Sequence, residues 1–358
     1  MQNNFYIVLM AGGSGTRLWP MSRKAMPKQF HKFSSEKSLL VETYERFIGV
    51  VPKENIYISL GENVLAETKK QLKDIKKENF IVEPEGKNTA PATALVTAHI
   101  FKKDPKAIIA EISSDHTVKK VSAYRQAFLT AKSFIEKNPE YLVTIGIRPT
   151  KPETGYGYIK IGKKIPGHPM NIVDKFVEKP DLMTAEKYLA SGKYLWNAGY
   201  FVFRVDTMIK MFERYSPKIY IGLKEILKAV NTPQEKKVID IEYAKFEKEP
   251  IDTVIAEKVD KIAVVPADLG WSDIGSWASL LDILIDKKDG IISKGHHVSV
   301  DDKNCLVYAR DKLVATIGLE DIIIIDTEDV TLVCHKDKSQ DVKKMIEKLK
   351  KQGKEKYL

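Results

Sequence analysis

The chain has 358 residues, 43% hydrophobic and 30% charged, with a formal net charge of +10. That length suggests two domains, or one large domain with an appendage, and the composition excludes a wholly disordered chain. No apolar run approaches the roughly 20 residues of a membrane-spanning helix, and the two cysteines, Cys305 and Cys334, exclude a disulfide scaffold or a cysteine-rich zinc site.

The opening residues show no secretory leader, because Phe5–Met10 runs straight into a glycine loop, so a reduced, cytoplasmic protein is expected. Over the first 150 residues, short apolar runs alternate with helical patterns. The runs are FYIVLM (5–10), IYISL (56–60), FIVE (80–83), AIIAEIS (107–113) and YLVTIGI (141–147); the amphipathic or alanine-rich stretches are 36–49, 62–77, 88–103 and 120–137. That alternation predicts an α/β fold, a Rossmann-like mostly parallel mixed sheet with helices on both faces. The near-continuous apolarity of the strands fits burial on both sides.

From residue 150 the pattern changes. TGYGYIKI (154–161) and NIVDKFVEKP (171–180) read as antiparallel strands joined by a Gly/Pro turn. A helix at 182–191, the strand WNAGYFVFR (196–204), a long helix at 206–229, the strand KIAVVPA (261–267) and the helix SWASLLDIL (276–284) follow. Past Ile285, short β-rich runs recur between turn residues, which places a boundary near 286 and predicts small parallel coils or a short sheet. The chain is thus divided into residues 1–285 and 286–358. Between Lys336 and Leu358 there are nine lysines and four acidic residues. No nucleic-acid motif accompanies them, so this tail reads as a solvated helix face, with no nucleic-acid or membrane partner. Its apolar residues Val342, Met345, Ile346 and Leu349 form one stripe that suits packing on the body of the chain or on another subunit.

The strongest chemical signal is LMAGGSGTRLWPMSRKAMPKQF (9–30). A buried strand opens into Gly12, Gly13, Ser14 and Gly15, where backbone N–H groups can approach an anion with no Cβ in the way. Arg17, Arg23, Lys24 and Lys28 follow and add positive charge. A P-loop is excluded because Arg17 and Leu18 stand where Lys and Ser/Thr are required. A dinucleotide fingerprint is excluded because Leu18 replaces its third small residue. An ordinary glycine turn remains the alternative for the loop alone.

The pattern G-x-G-T-R-L-x-P followed by P-K resembles the signature of the sugar-1-phosphate nucleotidyltransferases. EGKNTAPA (85–92), FVEKP (176–180), WNAGYFVF (196–203) and GWSDIGSW (270–277) occur in the order found in the mannose-1-phosphate guanylyltransferase branch of that family. The resemblance covers about residues 5–285. It implies transfer of GMP from GTP to mannose 1-phosphate, giving GDP-mannose and pyrophosphate with Mg²⁺ as cofactor. It also implies a homodimer, and a C-terminal segment that resembles the family's short β-helix (left-handed in form), ending in a helix. Longer family members carry a fused isomerase domain. About 70 residues follow Ile285, too few for that domain, so no isomerase activity is expected.

The resemblance also assigns roles. Arg17, Lys28 and Lys179 are the catalytic cations: the first two oppose charge on the triphosphate, and Lys179 contacts the sugar's phosphate. Leu9, Ala11, Gly12, Gly13, Gly15, Thr16, Glu83, Asn88 and Ser114 are the nucleotide-binding positions, with Glu83, Glu85 or a backbone carbonyl as acceptor for the guanine donors. Asn88 reads equally as a helix N-cap, with Pro91 in the first turn. Thr154, Gly155, Tyr156, Glu178 and Asn197 match the sugar-binding segments, and a glycine-kinked hairpin is the alternative for 154–157. Asp115 and Asp273 are the metal carboxylates, each with a plain turn or cap role as alternative. His116 reads as packing or as a residue supporting the site from behind, and Trp196, Trp271 and Trp277 as core or pocket wall. Another sugar phosphate or base, such as glucose 1-phosphate, is the competing substrate reading. A non-catalytic binding protein is disfavoured because Asp115, Asp273, Lys28 and Lys179 are all present.

Overall fold

The computed structural model describes residues 4–13, 15–285 and 290–358. The expected boundary near 286 lies outside the described residues, and so does Ser14 of the glycine loop. The early strands form where the apolar runs lie: β1 (Phe5–Met10), β2 (Ile56–Gly61), β3 (Phe80–Glu83), β4 (Ile108–Ser113), the short β5 (Thr117–Val118) and β6 (Leu142–Ile147). Then come β7 (Tyr158–Lys164), β8 (Asn171–Val177), β9 (Tyr194–Arg204), β10 (Ile262–Ala267) and the short β11 (Trp271–Ser272).

Among the described residues, nine strands make one sheet in the order β3-β2-β1-β4-β9-β6-β10-β8-β7. β1 pairs in parallel with β2 and β4, β2 with β3, and β6 with β10. β9 pairs antiparallel with β4 and β6, and β8 with β10 and β7. Only β8 and β9 therefore oppose the common direction, which is the mostly parallel mixed sheet expected. Alternate side chains of β1 serve opposite faces. Tyr6 and Val8 join the aliphatic cluster that includes Ala94 and Leu95 of the helix Thr89–Lys103 and Met208 and Leu223 of later helices. Ile7 and Leu9 are equally buried, and the helix Val121–Lys137 packs on β4, β6, β9 and β10.

Two sequence readings are corrected in detail. The single helix expected at 206–229 is two, Val205–Tyr215 and Pro217–Ala229. Pro217 lacks an N–H and its ring excludes continuous helix, so it starts a new one. A helix Glu235–Ala244 and a π-helical turn Asp252–Ala256 were not anticipated.

The compact units do not follow chain order. One holds residues 1–12, 43–114 and 118–271; the other holds 13–42, 115–117 and 272–358. The second is built on β12 (Ile292–Lys294), β13 (His297–Val300), β14 (Leu306–Tyr308), β15 (Val314–Ile317), β16 (Ile322–Asp326) and β17 (Thr331–His335). β12, β14 and β16 stack in parallel, as do β13 and β15, and β17 closes antiparallel on β16. The chain's return to the same edge at each coil produces these parallel rungs. Leu18, Trp19 and Phe33 of the early loop share a core with Trp277, Leu306, Tyr308 and Ile323. Three directed bonds pin it: Trp277 Nε1 to the Trp19 carbonyl at 3.0 Å, Tyr308 Oη to the Phe33 carbonyl at 3.0 Å and Trp19 Nε1 to the Tyr357 carbonyl at 2.7 Å. The last helix, Val342–Lys351, lays Val342, Ile346 and Leu349 on this core and leaves Met345 exposed.

Glu111, in the middle of β4, is fully enclosed. Its Oε2 accepts from Thr93 Oγ1 at 2.7 Å and its Oε1 has no hydrogen-bond partner among the described residues. Burial pushes its carboxyl up from 4.5 to about 8; the Thr93 hydroxyl opposes this and nearby Glu83 adds to it. Between those two values the unfolded chain is ionised and the folded chain keeps the proton, so this group makes stability fall as pH rises, by up to about 1.4 kcal/mol per pH unit. Glu111→Gln removes the titration. Urea midpoints at pH 5 and pH 8 will show a shallower decline in the variant than in the parent; parallel declines would contradict the burial argument.

Candidate active site

Within the C-terminal unit, the glycine turn and two distant acidic segments meet at one ammonium group. Gly15 sits at φ 56°, and a Cβ there would lie 2.4 Å from Lys28 Cβ, so only glycine lets the turn close over Lys28. Lys28 is buried, in the turn Lys28–Phe30. Its Nζ lies 2.7 Å from Asp115 Oδ2 and donates to the Asp273 carbonyl at 2.6 Å. Three N–H bonds on the ammonium leave one for a ligand. Gly13 packs beside Asp115, with a hypothetical Cβ 3.8 Å from Oδ2.

Asp273 is held by its own turn, where Gly275 N donates to Oδ1 at 2.9 Å and a Cβ at Gly275 would meet Oδ2 at 2.9 Å. Burial alone would raise the Asp115 carboxyl; the Lys28 ammonium and His116 outweigh it and hold the group below the usual carboxylate range. His116 Nε2 stands 3.5 Å from Asp115 Oδ1. Arg17 lies half-buried in the turn Thr16–Leu18 and has no polar partner among the described residues. Thr16 is exposed on the same turn.

The sheet unit carries the other candidates. Leu9 is fully buried in β1, Ala11 N donates to the Ser59 carbonyl at 2.7 Å, and Ser114 Oγ donates to the Met10 carbonyl at 2.9 Å. Ser114 thus ties the ends of β1 and β4 together. Glu83, at the end of β3, is buried; it accepts from Ser59 Oγ at 3.1 Å and from Tyr243 Oη at 2.7 Å. Burial raises its carboxyl, and these two donors oppose the rise. Exposed Gly12 lies beside it, with a hypothetical Cβ 3.8 Å from Glu83 Oε1. Asn88 is the N-cap of Thr89–Lys103 at φ 72°, accepting from Thr89 N at 2.9 Å. Glu85 is exposed and pairs with Lys87 at 3.0 Å.

At the sheet's other end Glu178 and Lys179 form an exposed ion pair, and Lys179 adopts φ 32° before Pro180. A Cβ at Gly157 would stand 3.0 Å from Glu178 Oε2 and 3.6 Å from Asn197 Cβ. Asn197 Nδ2 donates to Asp252 Oδ1 at 2.6 Å, and its Oδ1 accepts from Gly199 N at 3.0 Å. One amide N–H of Asn197 remains for a ligand. The Tyr156 ring stands edge-on to Trp196 and Trp271, each at 5.2 Å, so those tryptophans are wall, whereas Trp277 is core. Gly155 and Thr154 are exposed, and Gly155 N donates to Glu153 Oε1 at 3.1 Å.

Sequence reasoning missed Tyr243 and Asp252. Each lies in a stretch with no apolar periodicity to single it out, and each touches a candidate residue only through the fold. Burial raises the Asp252 carboxyl, opposed by Asn197 and reinforced by Glu178.

The glycine turn, the buried lysine and the two acidic turns thus meet at one point. The chain belongs to the nucleotidyl transferase family, whose model matches residues 6–289. The model of a MannoseP isomerase/GMP-like beta-helix domain matches residues 295–349. Mannose-1-phosphate guanylyltransferase 2 of Escherichia coli O157:H7 is 38% identical over 98% of this chain and 74% of its own length. The mannose-1-phosphate guanylyltransferase ManC of Salmonella typhimurium is 36% identical over 99% of this chain and 75% of its own. A crystal structure described as a mannose-1-phosphate geranyltransferase from Thermus thermophilus is 32% identical, with a TM-score of 0.89, covering 97% of this chain and 99% of that one.

Because Asp115 is held low by Lys28, its contribution to stability is present above its ordinary value of 3.8 and is lost as pH falls through the lowered one. Lys28→Gln will cost about 2 kcal/mol at pH 7. In thermal melts the gap between parent and variant will narrow below pH 4; a gap independent of pH would mean the pair contributes nothing.

Proposed function

We propose that the chain transfers GMP from GTP to α-D-mannose 1-phosphate, releasing pyrophosphate and forming GDP-mannose. The observation that carries this reading is the Lys28 ammonium, joined to the Asp115 carboxylate and the Asp273 carbonyl beneath a glycine turn. The names of the curated relatives agree with it. The Thermus structure's name gives a different transferred group, but the family model specifies a nucleotidyl group.

Both substrates are polyanions that repel each other, so the main work is neutralisation and alignment. The second pKa of a phosphate monoester is about 6, which makes mannose 1-phosphate an anionic nucleophile at neutral pH with no general base. A phosphate oxygen attacks the α-phosphorus in line. The new P–O bond forms as the bond to the β-bridging oxygen breaks, and the electron pair leaves on pyrophosphate. Lys28 and Arg17 stabilise that developing charge. Leu9, Ala11, Gly12, Gly13, Gly15, Thr16 and Ser114 are the further nucleotide-binding positions.

Glu83 receives the guanine N1–H and 2-amino donors, with Asn88 at the neighbouring helix start. Glu178 and the free N–H of Asn197 meet the sugar hydroxyls, Gly155 and Tyr156 line the sugar's path, and Lys179 meets its phosphate. Asp115 and Asp273 are hard oxygen donors, and Asp115 stays ionised at neutral pH, so the pair fits Mg²⁺. When bound, the ion supplies positive charge against the phosphate oxygens. We further infer a cytoplasmic homodimer, with a transferase domain over residues 1–285 and a β-helical domain over 286–358.

Pyrophosphate release over a grid of four NTPs and several sugar phosphates will single out GTP with mannose 1-phosphate; preference for UTP, dTTP or glucose 1-phosphate would replace the substrate assignment. Asp273→Asn will lower turnover at least about 100-fold while GTP still binds, and full activity would remove Asp273 from the metal site. Tyr243→Phe frees Glu83 on one side. It will raise KM for GTP more than it changes kcat and will erode discrimination against ATP, whereas an unchanged ratio would detach Glu83 from base reading.

A further inference from the structure

Within the sheet unit, the surroundings of Asn197 hold one polar group that the proposed mechanism leaves unused. The Asn197 backbone N donates to the Gly157 carbonyl at 2.8 Å. Its Oδ1 accepts from Gly199 N at 3.0 Å and its Nδ2 donates to Asp252 Oδ1 at 2.6 Å. A backbone N–H can only donate, so the amide can face only one way.

Asp252 is equally fixed. It opens the π-helical turn Asp252–Ala256, its carbonyl accepts from Glu257 N at 2.8 Å, and Ile251 N before it donates to Thr89 Oγ1 at 2.8 Å. Ile251, Val254 and Ile255 anchor the turn in the aliphatic core. A π-helical turn is rare, and such turns are frequent at functional sites. The Asn197 amide occupies Oδ1; Oδ2 of this half-buried carboxyl has no side-chain partner among the described residues.

The charges gathered here decide the class of occupant. Asp252 lies within electrostatic reach of Glu178, and exposed Glu257 feels both. Carboxylates grouped in this way repel a phosphate, and Lys179 offsets them at Asp252. They suit a neutral ligand that donates hydrogen bonds, as a sugar ring does with one O–H from each hydroxyl. The spare N–H of Asn197 lies beside Asp252, so the pair offers a donor next to an acceptor. That is the complement of a hydroxyl, which gives one hydrogen bond and takes another.

We propose that Asp252 is a sugar-contacting residue, whose Oδ2 accepts from a ring hydroxyl of the sugar phosphate beside the Asn197 amide. The proposal rests on the sugar site of the guanylyltransferase reading and adds a contact to it. The contact discriminates, because a sugar lacking that hydroxyl leaves a half-buried acceptor unpaired.

The test is an equilibrium titration of the full chain with mannose 1-phosphate and with its monodeoxy analogues. In Asp252→Asn the new amide oxygen still accepts from Asn197, so positioning is kept while the second oxygen becomes an amino group. This variant will bind mannose 1-phosphate at least about tenfold more weakly, with GTP affinity within about twofold of the parent. One monodeoxy analogue will lose at least about tenfold on the parent and less than about twofold on the variant, which identifies the hydroxyl. Unchanged affinity in Asp252→Asn, which a purely positioning role gives, overturns the proposal. So does an analogue pattern identical in parent and variant. If the variant loses GTP binding too, Asp252→Glu, which keeps the charge and moves it by a methylene, decides by the same two criteria. The titration needs no turnover. An Asp252-dependent affinity without pyrophosphate release would remove the transferase reading and leave the sugar contact, whereas release with unaltered affinity would remove the contact alone. A parent that binds no mannose 1-phosphate overturns both.

Discussion

The buried ammonium of Lys28 is the constraint around which the C-terminal unit is organised. A lysine that is nearly out of water is tolerable only if paired, because an isolated buried charge is costly. Here the pairing draws on residues 87 and 245 positions away in the chain, Asp115 and Asp273. Satisfying one charge therefore brings three segments to one point. Gly15 is required at the same place for a steric reason, since any Cβ would occupy the space of the lysine's own.

The sheet unit holds the other candidate polar groups, at the two ends of its sheet. The segment from 243 to 252 serves both. Tyr243 fixes Glu83, Lys87 donates to the Ala244 and Phe246 carbonyls at 2.5 and 2.8 Å, Ile251 N donates to Thr89 Oγ1 at 2.8 Å, and Asp252 fixes Asn197. One strap sets the orientation of the proposed base acceptor and of a proposed sugar ligand. Its hydrogen bonds give a stretch without hydrophobic pattern a defined path.

The C-terminal β-coils have a role that a simple appendage would not. They complete the core under the loop that carries Arg17 and Lys28, through Trp19, Phe33, Trp277 and Tyr308. The loop cannot bury these aromatic rings by itself; the coils supply the other half of the enclosure. Arg23 adds a polar anchor at Asp329. The loop at 13–42 and the β-coils are in this sense one compact unit, although about 250 residues separate them in sequence.

Much of the architecture was legible in the chain itself. The apolar runs at 5–10, 80–83 and 142–147 became strands because near-continuous burial of β-branched residues leaves few other options, and Ser276 capped its helix as its side-chain oxygen allows. The glycine-rich turn, its basic followers and the ordered motifs marked the candidate residues. Tertiary structure alone decided which groups meet: that Lys28 bridges Asp115 and Asp273, that Tyr243 and Asp252 support Glu83 and Asn197, and that residues 13–42 pack with the C-terminal coils. Periodicity reports which face of an element is buried, a local property. Pairing between polar groups far apart in sequence depends on where whole elements are carried, and no local pattern encodes that.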